Sequence, residues 1–289
     1  MSAPRHPIRW VLALGALVGS AHVAAAQTPA PARLLVLLRD ASALAIVDPV
    51  AGTVLGRVPT VRSPHEVTAS ADGKLAFVAS PSGGISVIDL DAQTELRRLD
   101  IGPGSAPHDV RFAGGKLYFT AEGYKVIGRY DPRRDQVDWL LGIGQDGTHM
   151  LVLSEDHNTI FTANRGSNSV TVVEDVAAGP PNWRVTAIPV GGEFPEGIDL
   201  SPDGRKFLSK KSDRTTTVRL MEINTGKPIA QLTIGDGSLG TVALAADGRT
   251  AADHVRHTLH HKLHALLTRD DGLTVVDLIN PDPLLISAA

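Results

Sequence analysis

The stretch Pro64 to Leu90, PHEVTASADGKLAFVASPSGGISVIDL, returns in recognisable copies down the chain, and no other feature limits the possible folds as tightly. It predicts three short strands, His65 to Ser70, Leu75 to Ser80 and Ile85 to Leu90, with the first two joined by the turn Asp72-Gly73. Asp-Gly between apolar runs is a strong hairpin signal, because such turns need left-handed backbone angles. Aligned on that turn, His65 falls on His108 in PHDVRFAGGKLYFTAEG and on His149 in THMLVLSEDHNTIFTAN. It then falls on Glu196 in PEGIDLSPDGRKFL and on Gly240 in LGTVALAADGRTA. The steps are 43, 41, 47 and 44 residues, and periods of that size mark propellers and related repeat arrays, one period being one four-stranded blade. Three histidines and a carboxylate thus recur at one phase of the cycle, the entry to the strand nearest the axis.

The blades are predicted at residues 64–102, 107–143, 147–190 and 195–235. Each runs from a polar entry through a strand, a glycine-bearing turn and a second strand rich in β-branched or aromatic residues to a third strand and its turn. Before them, residues 33–58 give three β-rich runs, a blade without its innermost strand. After them, residues 239–289 form a degenerate last blade. Its segment ADHVRHTLHHKLHALL carries histidines at helical spacing and predicts either an inserted helix or a degenerate strand. The tail offers only Leu284 to Ala289 as a strand to complete the first blade, and a propeller ring is commonly sealed by mixing strands from both chain ends.

The N-terminus has the layout of a secretory signal: Arg5 and Arg9, an apolar run from Trp10 to Val18, then Ala24-Ala25-Ala26 before Gln27. Residues 1–26 are expected to be a cleaved signal, 27–32 a proline-rich linker, and 33–289 a single propeller domain in the periplasm or outside the cell. No stretch reaches the roughly 20 apolar residues of a membrane-spanning helix. The chain has no cysteine, so neither disulfides nor thiolate metal sites contribute. A net charge of −3 without a long basic run, and 4% aromatic residues, argue against nucleic acid and against a broad stacking surface. A protein or small-molecule partner is the expectation.

The repeat resembles the YVTN family of bacterial β-propellers, on Phe161-Thr162-Ala163-Asn164, on the looser Phe77-Val78-Ala79-Ser80 and Tyr118-Phe119-Thr120-Ala121, and on SPDGRK at 201–206 and VIDL at 87–90. The resemblance implies an all-β propeller of six to seven blades. It reaches WD40-like surface proteins, lactonase-like enzymes and the propeller domain of nitrous oxide reductase, where hub histidines bind copper. The entries Pro64-His65-Glu66 and Pro107-His108-Asp109 look similar to such histidines, whereas the cysteine-rich copper domain of that enzyme has no counterpart here.

On this reading His65, His108, His149 and Glu196 ring the mouth of the channel. Arg39, Glu122, Arg165, Asn168 and Lys210 are contributed to the same face by loops between second and third strands. Imidazoles with a carboxylate suit a divalent metal such as Zn²⁺, Cu²⁺ or Ni²⁺, and equally suit a general base near neutral pH. An imidazole at a strand entry also suits plain hydrogen bonding to the neighbouring blade. Glu66 and Asp109, one residue on, are expected on the opposite strand face, paired with backbone, Arg or Lys. His257 and His261 would form a secondary metal pair if their segment were helical. Two functions follow: a binding module presenting the cluster to a metal, small ligand or protein, or a lactonase-like hydrolase or metal-dependent redox enzyme using the same groups.

Overall fold

The computed structural model describes residues 32–277, apart from 180–181, 192–193, 202–203, 205, 212–214, 224, 237–241, 245–249, 257–260 and 270–271. The expected signal peptide, most of the linker, the closing strand at 284–289 and His257 lie outside the described residues, as do the side chains of 206–216 and 232–277. Among the described residues no helix is long and apolar enough to cross a membrane.

Among the described residues, six antiparallel sheets follow one another in sequence. The first has three strands, β1 (Leu34–Leu38), β2 (Ala43–Asp48) and β3 (Thr53–Pro59). The second holds β4 (Glu66–Ala69), β5 (Leu75–Ser80), β6 (Gly84–Asp89) and β7 (Thr94–Leu99). The third holds β8 (Pro107–Ala113), β9 (Lys116–Ala121), β10 (Val126–Asp131) and β11 (Gln136–Gly142). The fourth holds β12 (Thr148–Leu153), β13 (Ile160–Asn164), β14 (Ser169–Glu174) and β15 (Arg184–Pro189). The fifth holds β16 (Pro195–Leu200), β17 (Lys206–Lys211), β18 (Thr215–Glu222) and β19 (Pro228–Asp236). The sixth holds β20 (Val242–Leu244), β21 (Thr250–Arg256), β22 (His261–Arg269) and β23 (Gly272–Asp277). Within each sheet consecutive strands pair as meanders, and the first strands β4, β8, β12, β16 and β20 contact one another in succession. This is a β-propeller, and among the described residues its first sheet has no innermost strand, in line with the sequence pattern.

The alternation of the strands builds the core. Successive side chains point to opposite faces, so Ala76 and Val78 pack with Leu44 and Ile46 of the sheet before, while Phe77 and Ala79 pack with Leu117 and Phe119 of the sheet after. The same device places Tyr118 and Ile127 against Leu151 and Ile160, and Phe161 and Ala163 against Ile198 and Met221. Four apolar layers between adjacent sheets result. Within the third sheet one cross-strand pair requires glycine: Phe119 lies opposite Gly128, and a Cβ there would collide with its fully buried ring.

The described residues of the histidine-rich segment are strand, not helix. β21 and β22 pair with Asp253 opposite His264 and His254 opposite Leu263. β22 pairs with β21 and β23 inside a four-stranded sheet, and that pairing overrides the helical spacing of its histidines. His261 opens β22 and so does not lie on a helix; His257, its expected partner, lies outside the described residues.

Candidate functional site

Each of the four repeat positions is delivered by the same backbone device. Ser63 (φ 52), Ala106 (φ 49), Gly147 (φ 62) and Phe194 (φ 56) lie in the left-handed region, each two residues before the site residue. Three of them precede proline, at Pro64, Pro107 and Pro195. Left-handed angles cost L-residues roughly 1–2 kcal/mol, and a following proline restricts them further. The prolines were visible in the sequence; the strained residue before each was not.

At three of the four positions the device ends in a bulge. In β8 the pairing jumps from Pro107 opposite Ala121 to Val110 opposite Phe119. In β12 it jumps from Thr148 opposite Asn164 to Leu151 opposite Thr162, and in β16 from Pro195 opposite Lys211 to Gly197 opposite Lys210. One extra residue at each entry re-aims the side chains there, and those side chains are His108, His149 and Glu196.

The three imidazoles form a row. The ring centroids of His65 and His108 are 4.3 Å apart and those of His108 and His149 are 3.8 Å apart, both pairs tilted. His65 is exposed at the edge, whereas His108 and His149 are 3% and 6% exposed. Burial, then the positive charge that His149, His65 and Arg165 would present, pushes the His108 imidazole down to about 2. It is therefore neutral, the form that donates to a metal. Its Nδ1 is buried without a hydrogen-bond partner.

Carboxylates flank the row. Glu122, in a short 3-10 turn (Glu122–Tyr124) after β9, has Oε1 2.6 Å from His149 Nδ1. Glu66 Oε1 lies 3.4 Å from His65 Nδ1. This corrects the expectation that Glu66 faces away. β4 begins at Glu66, so His65 precedes the strand and the two-residue alternation does not separate the pair. Glu196 also departs from its expected place among metal donors. It is buried and its Oε1 accepts an ion pair from Arg165 at 3.1 Å, so its charge is already met.

Asp109 behaves as expected of a structural group. Its carboxylate is fully buried, accepts from the backbone N–H of Val110 and of Leu151 in the next sheet, both at 2.8 Å, and pairs with Arg111. Burial raises its pKa despite those partners. Asn168 is also structural. Its Oδ1 accepts from the N–H of Phe194 at 2.9 Å and so tethers the entry to β16. Arg39 is exposed in the turn between β1 and β2. Lys210 pairs with Gly197 in the β16–β17 register, and its side chain lies outside the described residues. Arg165 reaches the cluster, and its Nε is buried without a partner.

Donor atoms of His65, Glu66 and His108 all lie within 4.8 Å of one another, and so do those of His108, Glu122 and His149. Neutral nitrogen with carboxylate oxygen is a donor set for borderline divalent ions, and the unpartnered nitrogen of His108 is available for coordination.

No protein-family model matches the chain, and no curated protein matches it in sequence. Solved structures do match. The hydrazine synthase of Kuenenia stuttgartiensis aligns with a TM-score of 0.66 at 18% identity, over 82% of this chain and 73% of that one. U3-55K aligns at 0.70 and 15%, over 84% and 77%, and the WD40 repeats of RRP9 at 0.69 and 15%, over 84% and 76%. At such identities the likeness speaks to architecture alone, and the architecture it establishes is the β-propeller.

Proposed function

We propose that this chain is an exported propeller that acts as a binding module, presenting His108, flanked by His65 with Glu66 and by His149 with Glu122, for divalent-metal binding at one end of the innermost strands. One observation carries the reading: three imidazoles in van der Waals succession around a buried, neutral His108 whose Nδ1 has no partner. A histidine kept for structure is hydrogen-bonded when buried. Zn²⁺, Cu²⁺ and Ni²⁺ suit the donors. Propellers such as the WD40 repeats of RRP9 share the architecture, and a site at the mouth leaves the metal accessible to a ligand or protein partner.

The test is elemental analysis of protein purified without an affinity tag, compared with the His65→Ala, His108→Ala, His149→Ala triple variant. Histidines 254, 257, 260, 261 and 264 are changed to asparagine in both proteins, so that the β21–β22 segment contributes no ions. The reading expects metal in the parent and its loss in the variant. Equal metal content in the two would refute it.

A further inference from the structure

The two donor triads at the mouth are not one site seen twice. His65 and Glu66 form one triad with His108, Glu122 and His149 form the other, and no single group of the described residues unites all five donors. The centroid distances of 4.3 Å and 3.8 Å bring the His108 ring against both of its neighbours. An imidazole carries nitrogens on two edges of the ring, and each can take a proton or a metal.

In a mononuclear site the second nitrogen of a ligating histidine ordinarily donates its N–H to a carboxylate, carbonyl or water, which fixes the ring. His108, more buried than His149, has none at Nδ1. Charge sets the condition for a second ion. The formal charges of Glu66 and Glu122 balance one divalent ion, and Glu196 is met by Arg165, so a second ion needs a further anionic ligand.

Resting on the metal reading above, we propose that the mouth is a two-ion site in which the His108 ring bridges, one ion also bound by His65 and Glu66 and the other by Glu122 and His149. The second ion takes the ring nitrogen that holds the remaining N–H. That proton leaves to solvent, His108 becomes an imidazolate, and no electron moves. Three negative charges then face two divalent ions. Glu66 and Glu122, not Glu196, are the carboxylate ligands, and Arg165 holds Glu196 away from the ions.

The experiment uses the whole chain carrying the asparagine changes in the 254–264 segment, loaded with Cu²⁺, read by elemental analysis and electron paramagnetic resonance. Two coppers per chain with an exchange-coupled spectrum are expected. His65→Ala and His149→Ala should each drop to one copper with an uncoupled signal. Two coppers without coupling in the parent would overturn the bridge, one copper would overturn the two-ion site while leaving the metal reading standing, and none would overturn both. Because the parent alone supplies the stoichiometry and the coupling, the result stands even where a variant fails to fold.

Discussion

Replacing Thr120 by valine should remove one of the ties that hold the third sheet to the fourth. The bulge in β8 leaves the Asp109 N–H without a ladder partner, and the Thr120 hydroxyl takes it at 2.9 Å. The same hydroxyl donates to the main-chain carbonyl of His149 at 2.7 Å, across the gap between sheets. Thr120 is fully buried, so valine, of nearly the same shape, leaves a donor and an acceptor unpaired away from water. Each such group costs about 1–3 kcal/mol. The methyl that replaces the hydroxyl returns about 0.8 kcal/mol of apolar burial. A net destabilisation of about 1–5 kcal/mol follows, read from urea unfolding followed by circular dichroism. Thr120→Ser keeps the hydroxyl, loses one methyl, and should cost about 1 kcal/mol. If the valine protein were within about 0.5 kcal/mol of the parent, or more stable than the serine protein, the hydroxyl would not be the tie described and the argument would fail.

Three further perturbations probe other parts of the fold. Gly128→Ala drives a Cβ into the buried Phe119 ring and should lower stability by about 1–3 kcal/mol, the usual range for overpacking, measured by the same unfolding curves. Ala106→Gly relieves a left-handed residue before proline. It should leave stability unchanged or raised by up to about 1 kcal/mol, and a loss larger than that would show the angle is not strained. Asp131, held by Lys116 and then by the Arg133 N–H, has its pKa lowered below the usual carboxylate value. A lowered folded-state pKa contributes stability that is present above the unfolded value near 3.8 and lost as pH falls through the folded value. Acid titration of unfolding should thus show a steeper loss below about pH 4 in the parent than in Asp131→Asn, and identical slopes would refute the pairing.

The fold was legible because its information is local and repeated. Asp72-Gly73 turns, two-residue alternation in Leu75 to Ser80 and a step near 44 residues each report one blade, and a blade buries its faces only against another like it. The phase of His65, His108, His149 and Glu196 was legible for the same reason. What each of the four then does was not. Glu196 was grouped with the histidines by phase, but Arg165, from a different loop, claims it. Glu66 was sent to the far face by alternation, which does not apply to a residue pair that straddles the start of a strand.

The sequence by itself determined the strand alternation, the turns, the repeat and the convergence of three imidazoles on one end of the sheets, since all of these follow from residue type at fixed spacing. Tertiary structure alone decided which carboxylate meets which imidazole, that His108 is buried with a free nitrogen, and that His254, His261 and His264 lie on paired strands. Partners of that kind come from different sheets 20 to 40 residues apart, and their meeting depends on bulges, left-handed entries and packing distances that no local pattern encodes.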